Sequence, residues 1–217
     1  MTRVANAALV YLKVMKRLSI LLFALTCIST SISAQVYAKL NALYAAVGVI
    51  NPHIEAAVSP HSSMVVDLTY SPWRSINDRH LNFGILQGEY RYYFRQATKG
   101  WYVSANLSMM GFDLSKPQIF KDSIISLKKG YSKGFGLMCG VGAGYEHHFA
   151  KRWVVDIYVA FDYMHSWYNG YTETGEIIMT PHGHEKYERP DPFNVSAEWL
   201  PAKVGVAIGY QLFKPKR

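Results

Sequence analysis

Three groups of residues have types and spacing that could carry chemistry. Asp162, His165 and Ser166 supply an acid, a base and a nucleophile, the set a hydrolase or acyltransferase brings within mutual hydrogen-bond reach. On a β-strand Asp162 and Ser166 share one face and His165 points to the other, which argues against a triad. His182, His184 and Glu185, in the segment TPHGHEKYE, are metal-ligand types. A His-x-His on one strand face can hold Zn²⁺ once a third ligand and supporting hydrogen bonds complete it. His147 and His148 belong to the far end of the strands and could not complete it, so a polar surface loop is the plainer reading. The third group is Glu89 and Arg91, in QGEYRYYFR. They stand two apart among four aromatic rings. The glycines of 134–144 alternate along a strand and do not open a helix, so they are no phosphate-binding loop. Nothing in the chain implies a cofactor.

Period-two alternation positions these residues. In MVVDLTYS, Met64, Val66, Leu68 and Tyr70 oppose Val65, Asp67, Thr69 and Ser71. Trp153, Val155, Ile157, Val159, Phe161 and Tyr163 oppose Asp156, Tyr158, Ala160 and Asp162. Phe135, Leu137, Cys139, Val141, Ala143 and Tyr145 oppose a face that is mostly glycine. Val204, Val206, Ile208, Tyr210 and Leu212 oppose Lys203, Gly205, Ala207, Gly209 and Gln211. The alternation predicts eight strands, near 36–47, 52–58, 63–72, 81–95, 101–114, 133–149, 153–168 and 199–213. The first two are the weakest.

The connections alternate in length. SPHS, QATKG and AKR are short, WRSINDRH is moderate, and about 115–132 and 169–198 are long. GVIN, the first, is the exception. An even strand count with short turns at one end and long loops at the other is the pattern of an outer-membrane barrel. The expectation is an all-β, eight-stranded, antiparallel up-and-down transmembrane β-barrel. Its short turns and both termini would be periplasmic, and its two long loops extracellular. The competing fold is a soluble β-sandwich or lipocalin-like barrel, with the apolar faces inside. The glycine face of 134–144 favours the membrane barrel, because glycine inside leaves room for long lumen side chains.

In that barrel Leu86, Tyr90, Tyr92 and Phe94 face lipid near an aromatic girdle. Gln87, Glu89 and Arg91 face the lumen. The same parity puts Lys39, Asn41, His53, Glu55, Asp67, Asn106, Glu146, Asp156, Asp162 and Lys203 inside. Buried charges must pair, so Lys39, Glu55, Asp67, Glu89, Arg91, Asp156, Asp162 and Lys203 are expected to form a structural lumen network. For Arg91 the candidate partners are Asp67 on the preceding strand and Glu55 or Asp156 across the barrel. Eight strands leave an interior that side chains fill, so a conducting pore is not expected.

The N-terminus reads as an export signal. Lys16 and Arg17 precede the apolar run LSILLFALTCI, and STSISA offers cleavage after Ala34. Met15 is a plausible start. The apolar run is short for a transmembrane helix; an N-terminal membrane anchor is the competing reading. Removing 1–34 takes four basic and no acidic residues, leaving +4 of the formal +8. No basic patch points to nucleic acid. Cys27 falls in the signal behind a residue unsuited to lipidation, and Cys139 stands alone in the remainder, so no intrachain disulfide forms.

The segments AKLNALYAAVGVINPHIEAAV, MVVDLTYSPW and LQGEYRYYF followed by GWYVSANLSMMGFDL carry a resemblance, as does GFGLMCGVGAGYEHHFAKRWVVDIYVAFDY. They resemble the domain of unknown function 3575, predicted outer-membrane barrels of Bacteroidota, over about residues 36–213. The resemblance implies fold and location and no activity. The functional expectation is a non-enzymatic barrel that anchors or displays its loops. Its partners would be outer-membrane lipid and an extracellular protein or glycan met through loops 115–132 and 169–198, with the chain a monomer. The alternative is a lipid-modifying barrel enzyme with a site near the outer rim.

Overall fold

The computed structural model describes residues 35–76, 79–115, 117–119, 125–127, 130–178 and 193–213. Residues 1–34, expected to be an export signal, and the His182, His184, Glu185 group both lie outside these residues.

Eight antiparallel strands close into one barrel. They are β1 Val36–Asn41, β2 Pro52–Ala57, β3 Ser62–Ile76, β4 Arg79–Tyr93, β5 Gly100–Leu114, β8 Tyr131–His148, β9 Trp153–Tyr171 and β10 Phe193–Phe213. Each pairs with its neighbour in sequence, and β1 pairs with β10 to close the ring. A short hairpin, β6 Pro117–Ile119 and β7 Ile125–Leu127, forms a separate two-stranded sheet inside the long connection between β5 and β8. The expected up-and-down topology is therefore present.

Several expected boundaries change: among them, β9 runs to Tyr171 and β10 begins at Phe193, so 172–192 lie between them. The first strand stops at Asn41 and does not reach residue 47; Ala42–Ala46 form a one-turn helix, α1. The Asn41 side chain caps it, accepting from the backbone N–H groups of Leu43 and Tyr44. The connection from β1 to β2 is thus 42–51 and no longer the short exception. Conversely β3 and β4 run so far that only residues 77–78 separate them. In β10 a bulge between Pro201 and Lys203 leaves Ala202 unpaired. It reverses the side-chain parity of the strand above that point.

The two faces of the wall are chemically opposite. Leu107, Val141, Phe161, Val204 and Trp199 point outward and are more than half exposed. Lys39, Glu55, Asp67, Arg91, Glu146 and Asp156 are wholly buried inside. This is the reverse of a soluble domain, in which charged groups are rarely buried and large apolar patches rarely exposed.

The inward glycines are filled from the strands beside them, not from the opposite wall. Gly144 pairs with Tyr102 on one side and Tyr158 on the other. A Cβ on Gly144 would lie 2.5 Å from the Tyr102 ring. Gly205 makes the same room for Tyr158, whose ring would lie 2.4 Å from an added Cβ. Large rings laid flat over a neighbouring glycine let two phenols fold into a narrow lumen.

Candidate functional site

Period-two geometry fixes which residues of each strand look inward. β1 offers Tyr37, Lys39 and Asn41; β2 offers His53 and Glu55; β4 offers Gln87, Glu89, Arg91 and Tyr93. β9 adds Asp156, Tyr158 and Asp162, β8 adds Glu146, and β10 adds Lys203.

These side chains meet in a connected ion network. Lys39 Nζ donates to Glu55 Oε2 at 2.5 Å, Glu146 Oε2 at 2.9 Å and Asp156 Oδ2 at 3.2 Å. Arg91 Nε donates to Glu89 Oε1 at 2.8 Å, and its Nη1 reaches Asp156 Oδ2 at 2.6 Å and Glu55 Oε2 at 3.2 Å. Its guanidinium lies 4.5 Å from the centre of the Tyr102 ring, a cation–π contact strengthened by burial. Tyr102 donates to Asp156 Oδ1 at 2.9 Å. Tyr93 Oη lies 2.6 Å from Glu55 Oε1 and 2.7 Å from Glu146 Oε2. Ser63 Oγ also donates to Glu55.

Glu89 joins this group to a second one. Lys203 Nζ stands 3.8 Å from Glu89 Oε2 and donates to Asp67 Oδ2 at 2.7 Å. Asn51 Nδ2 donates to Asp67 Oδ1 at 2.8 Å and to Thr69 Oγ1 at 2.7 Å.

Of the eight residues expected in one network, Lys39, Glu55, Asp67, Glu89, Arg91, Asp156 and Lys203 are brought together. Asp162 is not; it accepts from Asn106 Nδ2 at 2.9 Å, apart from the ion pairs. Of the three candidate partners for Arg91, the structure pairs it with Glu55 and Asp156 and not with Asp67. The β3–β4 register sets Arg91 opposite Ser63, and Asp67 opposite Gln87. Asp67 therefore sits four residues up its strand and takes Lys203 instead. The parity of Asn106 turns Tyr102 inward and that of Asp156 turns Tyr158 inward, but sequence reasoning gave neither a role, and it passed over Tyr93, which the parity of Arg91 already turned inward.

Carboxylate oxygens of Glu55, Glu146 and Asp156 lie within 4.8 Å of one another, a density at which a divalent cation could bind. Lys39 Nζ touches all three. The ammonium stands where such a cation would stand, so the cluster carries its own counter-ion. At this height the large side chains of Tyr37, Arg91, Tyr93 and Tyr102 are fully buried and fill the lumen.

The triad types do not converge. Ser166 is buried inside and Asp162 is held by Asn106, while the His165 ring lies outside, 4.5 Å from that of Trp167. His148 sits at the short-turn end, its Nε2 2.6 Å from the Thr98 carbonyl.

A family model described as a protein of unknown function (DUF3575) matches residues 19–212. No curated protein and no solved structure matches the chain.

Proposed function

The chain belongs to the DUF3575 family of proteins of unknown function, and from that premise we propose that it is a barrel embedded in the bacterial outer membrane. In this reading the barrel is a scaffold, not an enzyme. Its charged lumen holds the wall rigid, and the long connections, 115–130 and 172–192 between the strands, are displayed outside the cell to a protein or glycan. The termini and the turns 58–61, 94–99 and 149–152 face the periplasm, after export by the 1–34 segment.

The observation that carries the reading is the inversion of the wall. Outward Leu107, Val141 and Val204 are each about 60% exposed or more, while inward Glu55, Arg91 and Asp156 are fully buried. Water penalises such an outer face at about 25 cal/mol per Å²; lipid hydrocarbon does not. A barrel also leaves no unpaired sheet edge in lipid where it closes.

Two measurements test this. The protein should stay in the membrane fraction after alkaline carbonate washing, and its gel migration should shift on boiling. Protease added to intact cells should cut within 172–192 and spare a tag at the C-terminus. Recovery in the soluble fraction with no migration shift overturns the membrane reading. Cleavage of the C-terminal tag on intact cells overturns the orientation.

A further inference from the structure

The two ends of the barrel differ in charge. At the short-turn end the exposed ionisable residues are Arg95, Lys99, Lys151, Arg152, His61 and His147. The turns 58–61, 94–99 and 149–152 contain no Asp or Glu, and Glu55 and Glu146 on the adjoining strands are wholly buried in the lumen. At the long-connection end both signs are exposed among the described residues: Arg74 and Lys133 stand with Glu173, Glu176 and Glu198. The bases of the short-turn end lie on one arc. Turn 94–99 joins β4 to β5, turn 149–152 joins β8 to β9, and β5 pairs with β8, so these four strands are consecutive in the ring. His148, at the end of β8, reaches the Thr98 carbonyl and ties the arc together. Lys39, Arg91 and Lys203 in the lumen all have carboxylate partners. Among the described residues Arg95, Lys99, Lys151 and Arg152 have none. Like charges gathered without acids raise a positive potential over the arc.

Large rings accompany these bases. Phe94 precedes Arg95, Trp101 follows Lys99 by two, and Lys151 and Arg152 lie between Phe149 and Trp153. All four rings are 45% exposed or more. Trp101 packs against outward Tyr145 and Trp153 against outward Tyr210, ring centres 5.0 and 5.1 Å apart. Arg152 bends onto the second pair: its Nη1 donates to Tyr210 Oη at 3.1 Å, and its guanidinium lies 5.9 Å from the ring centre. Arg152 therefore lies on the outer rim of the wall and not beneath the lumen.

We propose that this arc, from β4 to β9, is a docking surface for the headgroups of anionic phospholipids in the leaflet around the short-turn end. The proposal rests on the membrane reading above. Exposed Trp and Tyr rings settle at the headgroup level of a bilayer, so the bases beside them meet the phosphates of that layer. Bases near an anionic bilayer surface each favour it several-fold. A soluble anionic polymer would match the charge but leave the rings without a partner. The exposed rings, and the seat of Arg152 on the outer rim, favour lipid.

The test uses the full-length exported protein folded into phosphatidylcholine vesicles that carry a trace of spin-labelled phosphatidylglycerol or spin-labelled phosphatidylcholine. The motionally restricted fraction of each label reports its occupancy beside the protein. Phosphatidylglycerol should be enriched about fivefold over phosphatidylcholine, and high salt should reduce the enrichment. Arg95→Gln, Lys99→Gln, Lys151→Gln and Arg152→Gln combined should bring the two labels near parity. Arg74→Gln with Lys133→Gln, at the other end, should leave the enrichment unchanged. Should the fourfold variant fail to fold, the threefold variant that keeps Arg152 carries the same test, and the boiling-dependent gel shift reports barrel integrity separately. Equal restriction of the two labels beside the wild-type protein overturns the proposal. So does enrichment that survives the fourfold change, or that the Arg74 and Lys133 changes abolish as fully. Sedimentation with purified peptidoglycan that depends on the same four bases, without a lipid preference, overturns it in favour of an anionic polymer. A protein that does not enter the vesicles refutes the membrane reading and this proposal with it, whereas one that enters and shows no preference refutes this proposal alone.

Discussion

Arg91 on β4 and Asp156 on β9 join across the barrel at 2.6 Å, and Tyr102 is bound to both. Both side chains are fully buried. A pair of this kind is weak evidence for stability as such, but removing one partner strands the other. Arg91→Met should therefore destabilise the barrel by about 3–5 kcal/mol. Adding Asp156→Asn should restore part of the loss. The coupling is read from a double-mutant cycle in urea unfolding from lipid vesicles. Asp67→Asn should show little coupling to Arg91 and strong coupling to Lys203→Met. A larger coupling of Arg91 with Asp67 than with Asp156 would refute the register.

Lys39 should matter more than Lys203. Lys39 contacts three carboxylates, all with no side-chain exposure. Lys203 contacts Asp67 at 2.7 Å and Glu89 at 3.8 Å. Lys39→Met leaves three buried acids within reach of each other without their shared cation, and like charges at that range repel strongly. Its unfolding midpoint should fall further below wild type than that of Lys203→Met. Equal midpoints would mean the Lys39 site is wet and screened.

Glycine substitutions should separate inside from outside. At Gly144 a methyl would lie 2.5 Å from the Tyr102 ring and 2.7 Å from the Ile157 carbonyl. Gly144→Ala must push Tyr102 off Asp156 and should cost about 1–3 kcal/mol. At Gly88 and Gly111 an added Cβ meets nothing within 4 Å. Gly88→Ala should be neutral or slightly stabilising, since glycine weakens a strand interior. Unfolding free energies of the two variants decide the matter; equal tolerance would contradict the packing of the phenols over β8.

Val141 faces outward on β8, between Ala105 and Phe161, and is 62% exposed. If the outer face meets lipid, Val141→Arg should cost about 2–4 kcal/mol in bilayer folding. Lys151→Ala, in the exposed turn after β8, should change almost nothing. Should Val141→Arg fold as well as wild type into vesicles, Val141 does not lie in hydrocarbon.

Much of the barrel was legible because strand geometry is periodic. A side chain's face follows from counting by two, so Glu89, Arg91, Asp156 and Lys203 could be turned inward, and Leu137, Val141 and Tyr145 outward, before any pairing was known. The same count from Arg91 reaches Tyr93, which was passed over among the neighbouring rings. The helix after β1 left a signal too. Asn41 followed by ALYAA is a cap followed by helix-forming residues, but the alternation leading up to it masked the stop.

What counting by two could not reach is height. Which inward residues meet depends on how each strand slides against the next, and a slide of two residues preserves every face while exchanging every partner. Parity made Asp67 as good a partner for Arg91 as Asp156. The β3–β4 register, and the staggered closure of β1 onto β10, lifted Asp67 to Lys203 and brought Asp156 down to Arg91. The bulge at Ala202 likewise changes no composition, yet it turns Leu200 inward. Within an unbroken strand, faces are a local property of the chain, and the sequence by itself determined them. Partners are a property of the closed ring, in which all eight registers must agree at once, and only the tertiary structure decided them.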